Sequence, residues 1–322
     1  MKIARVLAAA ALLGALAARA DYPERPMVWV VPFAAGGATD TLARQFAERM
    51  SRGARQPIVV ENVAGAGGTV GAAKVAKSRP DGYTFLVGHV GYMAAAPGLY
   101  KNLPYDPVQD FDAVARFPDT PMVLVCGRKN PLGNVRTLMT FARAHPGKLN
   151  FANAGVGSAG HLTAALFASA AKADVMHIAY KGNAPAMTDI MGGLIDCMFD
   201  QSNTALPQVR GDKVAAYAVT SKDRIPQMPQ VPTLQESGLP GFDAATWYGI
   251  YAPRGTPREA IQWMYAQFQE AMNDTAFTGK MVEQGYVLIA PELRGPEALA
   301  AHTKSEVELW KKVIADAGIP AN

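Results

Sequence analysis

Along this chain, short apolar runs alternate with segments in which apolar residues recur every three or four positions. Residues 27–31 are five consecutive apolar positions, three of them valine, and predict a buried strand. Residues 41–50 place Leu42, Phe46 and Met50 on one helical face. The alternation continues with a strand at 58–60, a helix at 69–78 and a strand at 83–87. Glycine- and proline-bearing turns at 32–40, 65–68 and 79–82 separate them. Strand–helix–strand repetition predicts a parallel sheet with helices on both faces.

The pattern changes near residue 110. Residues 111–117 and 122–126 read as two strands in tandem, parted by Pro118 and Pro121, and mark a crossing into a second lobe. That lobe alternates again, with helices at 135–144, 161–171 and 184–192. Its strands fall at 149–151, 175–179, 197–200 and 214–219. A proline-rich loop spans 225–240, and 245–252 reads as a strand returning to the first lobe. Helices at 256–273 and 296–317 complete the chain; Thr256 and Pro257 supply an N-cap and a proline at the first helical position. The expected organisation is a leader at 1–20, a first lobe from 21–120 and 238–322, and a second lobe from 121–237. Two crossings between the lobes suit hinge closure on a ligand, which favours a monomer.

The leader follows from Lys2 and Arg5, an apolar run at 6–18, and small residues at Ala18 and Ala20. These are the features of a secretory signal peptide cleaved after Ala20. No later run is long enough to span a membrane. Losing Lys2, Arg5 and Arg19 takes the 31 basic residues to 28 against 27 acidic ones. Such a chain offers no footprint for nucleic acid or an anionic membrane. Cys126 and Cys197 lie in strand-like apolar runs, where a disulfide and two buried thiols are equally compatible with the sequence.

Three glycine-rich turns precede helices, at Gly36-Gly37, at Gly65 to Gly68 and at Gly155 to Gly160. Each exposes backbone N–H groups where the helix dipole favours an anion. The last also matches G-x-G-x-x-G, with Asp174 about 20 residues on, so an NAD-dependent oxidoreductase is a rival reading. Asp174 precedes its strand, where a ribose-binding acid should end one. No metal-ligand spacing, nucleophile elbow or carboxylate couple is apparent, and no cofactor is expected. Asp40 and Thr39 read as a helix cap, and His161 as a residue bonding locally near its helix start. His177 reads as a satisfied buried histidine and Lys181 as an exposed lysine. Asp200, at a predicted strand end, is placed to face a cleft.

Taken together, Pro32-Phe33 with Gly36-Gly37 and Asp40, Asn62 with Gly65 to Gly68, and Arg79-Pro80-Asp81-Gly82-Tyr83 resemble the Bug family, the substrate-binding proteins of tripartite tricarboxylate transporters. So do Gly157-Ser158 with His161-Leu162, His177 through Gly182 with Pro185 and Asp189, and Thr246-Trp247-Tyr248-Gly249 with Gly255 and Pro257. The resemblance implies an α/β, type II-like periplasmic binding protein fold of two lobes with two interdomain crossings. It implies a non-catalytic receptor that presents a small organic acid to membrane transporter subunits. A sensory role toward a membrane kinase is the alternative. Carried onto this sequence, the ligand contacts are Phe33, Ala34, Gly37, Ala66, Gly67 and Gly68 from the first lobe and Gly157, Ser158, Ala159 and Asp200 from the second. His89 departs from the small polar residue usual after the third strand, and its bulk bears on which acid fits.

Overall fold

The computed structural model describes residues 22–54 and 56–316. The leader expected at 1–20 lies outside the described residues.

The first half of lobe one runs β1 (Met27–Val31), α1 (Ala38–Ser51), β2 (Ile58–Asn62), α2 (Thr69–Ala76) and β3 (Thr84–His89), then a π-turn at Gly91–Ala95 and the short α3 (Ala96–Leu99). β4 (Phe111–Arg116) and β5 (Thr120–Gly127) carry the chain across. The second lobe holds α4 (Val135–Ala144), β6 (Asn150–Asn153), α5 (Ala159–Ala171), β7 (Met176–Ala179), α6 (Asn183–Gly192), β8 (Cys197–Gln201), α7 (Ser202–Arg210) and β9 (Val214–Val219). β10 (Ala245–Thr246) and β11 (Tyr248–Pro253) bring it back to α8 (Arg258–Asn273), α9 (Thr275–Glu283) and α10 (Pro296–Asp316).

Two sheets result. The first has the order β2-β1-β3-β11-β4, and the second β10-β5-β8-β6-β7 with β9 also paired to β5. Neither is wholly parallel, contrary to the sequence expectation. β1 runs parallel to β2 and β3, but β11 is antiparallel to β3 and β4, and β5 is antiparallel to β8, β9 and β10. The antiparallel strands are those at the crossings: β5 enters the second sheet straight from β4 of the first, and β11 enters the first straight from β10 of the second. The strand expected over 245–252 is in fact two. β10 pairs with β5 in the second sheet, Trp247 is the step between sheets, and β11 pairs with β3 in the first. The second sheet therefore extends past residue 237.

Local chemistry explains the elements. β5 and β11 are buried along their whole length, as continuous apolar strands inside a mixed sheet should be. On α1, Leu42, Phe46 and Met50 pack into the core, where Phe46 lies 4.7 Å from Phe117 and 5.4 Å from Phe268 between ring centroids. Asn134 caps α4 by accepting the Thr137 N–H at 3.0 Å, and Asp274 caps α9 through the N–H groups of Ala276 and Phe277. The step at Trp247 is pinned to α10, since its indole N–H donates to Glu306 Oε2 at 2.9 Å. Beside it, Asp119 and Val287 exchange backbone hydrogen bonds and tie the other crossing to the chain before α10.

Cys126 and Cys197 form a disulfide between directly opposed positions of β5 and β8. It closes a loop of sequence separation 71. By loop-closure entropy such a link stabilises by about 4 kcal/mol, and measured values fall mostly in the 2–4 range. Replacing both cysteines by alanine is expected to lower the thermal midpoint by several degrees. An unchanged midpoint in differential scanning calorimetry would show that the bond contributes nothing to stability.

Candidate functional site

Strand ends and helix starts from both lobes meet around one small cavity. Phe33, Gly37, Thr39 and His89 line it from the first lobe, and Ala154, Ser158, Ala159, Gly160, Asn183 and Gln201 from the second. Its free volume is only about 10 Å³. That is room for about one water. The lobes are closed, and they must part to admit any larger guest.

Closure rests on backbone meeting backbone. A Cβ on Gly67 would lie 1.9 Å from the carbonyl oxygen of Val156, and one on Gly91 would lie 2.1 Å from that of Gly157. Gly67 also sits at φ +63°, in the region that favours glycine. Hydrogen bonds cross the same seam. Tyr100 Oη donates to the Val156 carbonyl at 3.0 Å, the Ala34 N–H to the Lys181 carbonyl at 3.3 Å, and Asn203 Nδ2 to the Ala38 carbonyl at 3.4 Å.

The cavity's polarity comes chiefly from helix starts. Thr39 is the second residue of α1, Ala159 and Gly160 open α5, Asn183 opens α6, and Gln201 precedes α7. First-turn N–H groups have no acceptor within their helix, and the dipole puts partial positive charge there. Four such ends surround one space. The glycine turns themselves spend several N–H groups internally. Gly36 donates to Asp40 at 2.9 Å, Gly68 to the Gly65 carbonyl at 2.9 Å, Gly155 to Asn153 Oδ1 at 2.9 Å, and Gly157 to His161 Nδ1 at 3.3 Å. Asp40 is thus a turn organiser rather than a cap, since Gly37 holds the N-cap position of α1. Burial works to raise its pKa, but bonds from Arg44, Gly36 and Asn62 outweigh it and hold the carboxyl below its ordinary value.

Side chains complete the lining. Asn183 Nδ2 donates to Asp200 Oδ1 at 2.5 Å and to Gln201 Oε1 at 2.6 Å, while Thr204 Oγ1 donates to Asp200 Oδ2 at 2.7 Å. This network commits the Gln201 side-chain carbonyl, and Gln201 itself borders the cavity. Asp200 is buried behind Asn183 and does not itself face the space, contrary to its expected place at a cleft. Desolvation raises its pKa to about 6, with Thr204, Asn183 and the Gln201 backbone acting against the shift. His89 is buried and its pKa falls to about 3 for the same reason, so it is neutral.

Of the residues singled out from sequence, Phe33, Gly37, His89, Ser158 and Ala159 come together around the cavity. Ala66 and Gly67 line an outer groove instead, with Tyr100, Val156 and Lys181, where the lobes touch. Ala34 sits at the seam against Gly182, Gly68 abuts the Tyr92 ring, and the Gly157 carbonyl presses on Gly91. His161 bonds locally, as expected. His177 does not fit its expected role. It is only partly buried, its Nδ1 has no hydrogen-bond partner, and its ring lies 4.9 Å from that of His161. Thr39, Asn183 and Gln201 were not anticipated. Their signal is a polar side chain at the junction where a strand or turn enters a helix. Among the described residues no cluster of three or more His, Cys, Asp or Glu is placed to hold a metal ion.

Comparison with known proteins bears on this geometry. Residues 42–319 match the model of the tripartite tricarboxylate transporter family receptor. BugT of Bordetella pertussis is 34% identical over 92% of this chain and 90% of its own. The solved structure of the periplasmic binding protein BugD is 39% identical with a TM-score of 0.89, covering 94% of this chain and all of that one. MatC from Rhodopseudomonas palustris, solved with bound malate, is 36% identical with a TM-score of 0.88, covering 91% and 100%.

The raised pKa of Asp200 gives a pH prediction. Above about pH 6 the carboxyl is ionised in both folded and unfolded states and its burial costs stability. As pH falls from about 6 to about 4 the folded state takes up the proton first, and that cost is relieved. The stability of wild type relative to Asp200→Asn should therefore rise by roughly 2 kcal/mol between pH 7.5 and 4.5. A difference independent of pH, measured by urea unfolding, would contradict the assignment.

Proposed function

The chain belongs to the tripartite tricarboxylate transporter family of receptors, and we propose from that premise that its closed cavity holds a small organic acid by its carboxylate on the helix starts of both lobes. The chain is a periplasmic solute-binding protein that captures carboxylates for a transporter of this type. The observation that carries the binding mode is the meeting of four helix N-termini around one enclosed space with no lysine or arginine in its lining. A carboxylate accepting several N–H bonds there needs no cation.

In this reading the first lobe comprises residues 21–120 and 238–322 and the second 121–237, with β10 carrying the second sheet on to Thr246. Parting of the lobes about the two crossings admits the acid, and closure excludes water from it. The export leader ends at Ala20, the partners are the transporter's membrane subunits, and the chain performs no chemistry on its ligand. Family and structural neighbours that are themselves binding proteins support that last point.

Two experiments test the reading. The protein, unfolded and refolded to strip bound ligand, is titrated with a panel of mono-, di- and tricarboxylates and their amides. An acid at about 100 times its Kd adds roughly 2.7 kcal/mol of stability, a shift of several degrees that the matching amide should not produce. Absence of any shift across the panel counts against the carboxylate site. The second experiment is Gly67→Val. Its Cβ would stand where the Val156 carbonyl now lies, so affinity in calorimetry should fall at least about tenfold, the loss expected when about 1.4 kcal/mol of closure is forfeited. Retained affinity would mean that closure does not require this contact.

A further inference from the structure

Resting on that reading of the cavity, we propose that His89 is a specificity-determining residue: it presents a neutral N–H to the ligand and selects acids that carry a second acceptor oxygen.

The tautomer follows from one bond. His89 Nδ1 accepts the Gly91 N–H at 2.9 Å, so it bears no proton. A neutral imidazole with an unprotonated Nδ1 carries its hydrogen on Nε2, which can then only donate. Among the described residues no acceptor meets Nε2, while the ring lines the cavity. The ring has little freedom to turn away. It stacks on Tyr92 at 5.5 Å, meets Phe33 edge-on at 5.5 Å and lies 5.3 Å from Tyr248. Gly91 is held in turn by the second lobe, whose Gly157 carbonyl fills the space a Cβ would take. Closure thus fixes the turn that fixes the tautomer.

Two buried hydroxyls, Tyr248 Oη and Thr120 Oγ1, lie nearby, and each can both donate and accept. Buried polar groups are normally paired, and leaving them unpaired is costly. On the His89 side, then, Nε2–H can only donate, and among the described residues no acceptor meets it. A guest that supplies an oxygen there completes it, and one that presents a methyl group leaves a buried N–H unanswered. That asymmetry is what makes a polar site discriminate strongly.

Two substitutions separate the donor from the ring. In His89→Asn the amide oxygen occupies the place of Nδ1 and keeps the Gly91 N–H satisfied, but nothing reaches the position of Nε2. In His89→Gln the amide nitrogen lies near the place of Nε2 and restores a donor. Calorimetry on wild type and both variants would use two matched pairs, succinate with butyrate and adipate with hexanoate, after thermal unfolding confirms that each variant folds. Wild type should prefer a diacid over its monoacid by at least about tenfold, the range for a hydrogen bond to a charged group. His89→Asn should lose about tenfold of that ratio, and His89→Gln should regain most of it. Equal losses for both members of a pair in His89→Asn would reduce His89 to a packing residue and overturn the proposal. So would a ratio lost in His89→Asn and not regained in His89→Gln. If no acid of either pair binds the wild type, the carboxylate reading of the cavity itself fails, a result distinct from either of these.

Discussion

An anion shut away from water must have its charge answered by something else, and in the proposed binding mode peptide N–H groups answer it rather than a cation. Much of the architecture follows from that. Helix starts can converge on a point only if several helices begin at the same place. The ends of β6, β7 and β8 and the turn after β1 deliver four of them to one space. Partial charges of this kind act over one helical turn, so the two lobes have to approach to contact distance. The glycines at the seam permit that approach. Gly67 and Gly91 stand where any side chain would strike a carbonyl of the opposite lobe.

Such a site makes demands on the hinge. A closed cavity with room for about one water cannot be entered without parting the lobes, and the crossings at Phe117–Asp119 and Trp247 are where the two sheets join. Both are anchored. Trp247 and Trp310 share Glu306 Oε2 on α10, and Asp119 is bonded to Val287. Further contacts from the end of the chain reach the second lobe, through Ser202 Oγ to the Gly285 carbonyl and Asn203 Nδ2 to Tyr286 Oη. The chain after β11 therefore braces the hinge as well as completing the first lobe.

Much of this was legible in the residues. Five-residue apolar runs gave β1 its bounds, and Leu42, Phe46 and Met50 gave α1 its face. What escaped did so for physical reasons. α7 begins immediately after β8 and contains Pro207, so no turn separates strand from helix and the proline reads as a breaker. α9 follows α8 after a single intervening residue, and the Asp274 cap was the signal that it existed. Direction within a sheet is not written in periodicity, because a buried strand looks the same parallel or antiparallel. At the site, the glycine turns pointed to the correct neighbourhood but misjudged the donors. Gly36, Gly155 and Gly157 spend their N–H groups on Asp40, Asn153 and His161, and Asn183 and Gln201 stand in front of Asp200. Only three-dimensional placement tells a side chain that faces the cavity from the one behind it.

The disulfide joins β5 to β8, and β8 ends at Gln201, the residue that turns toward the cavity. The bond sits at the opposite end of that strand from the site, where it secures the strand without touching the ligand. Such a link forms only where thiols are oxidised. A chain still on the reducing side of the membrane lacks it, and its second lobe has not reached full stability. Whatever stability the bond gives the second lobe is therefore gained only in an oxidising compartment.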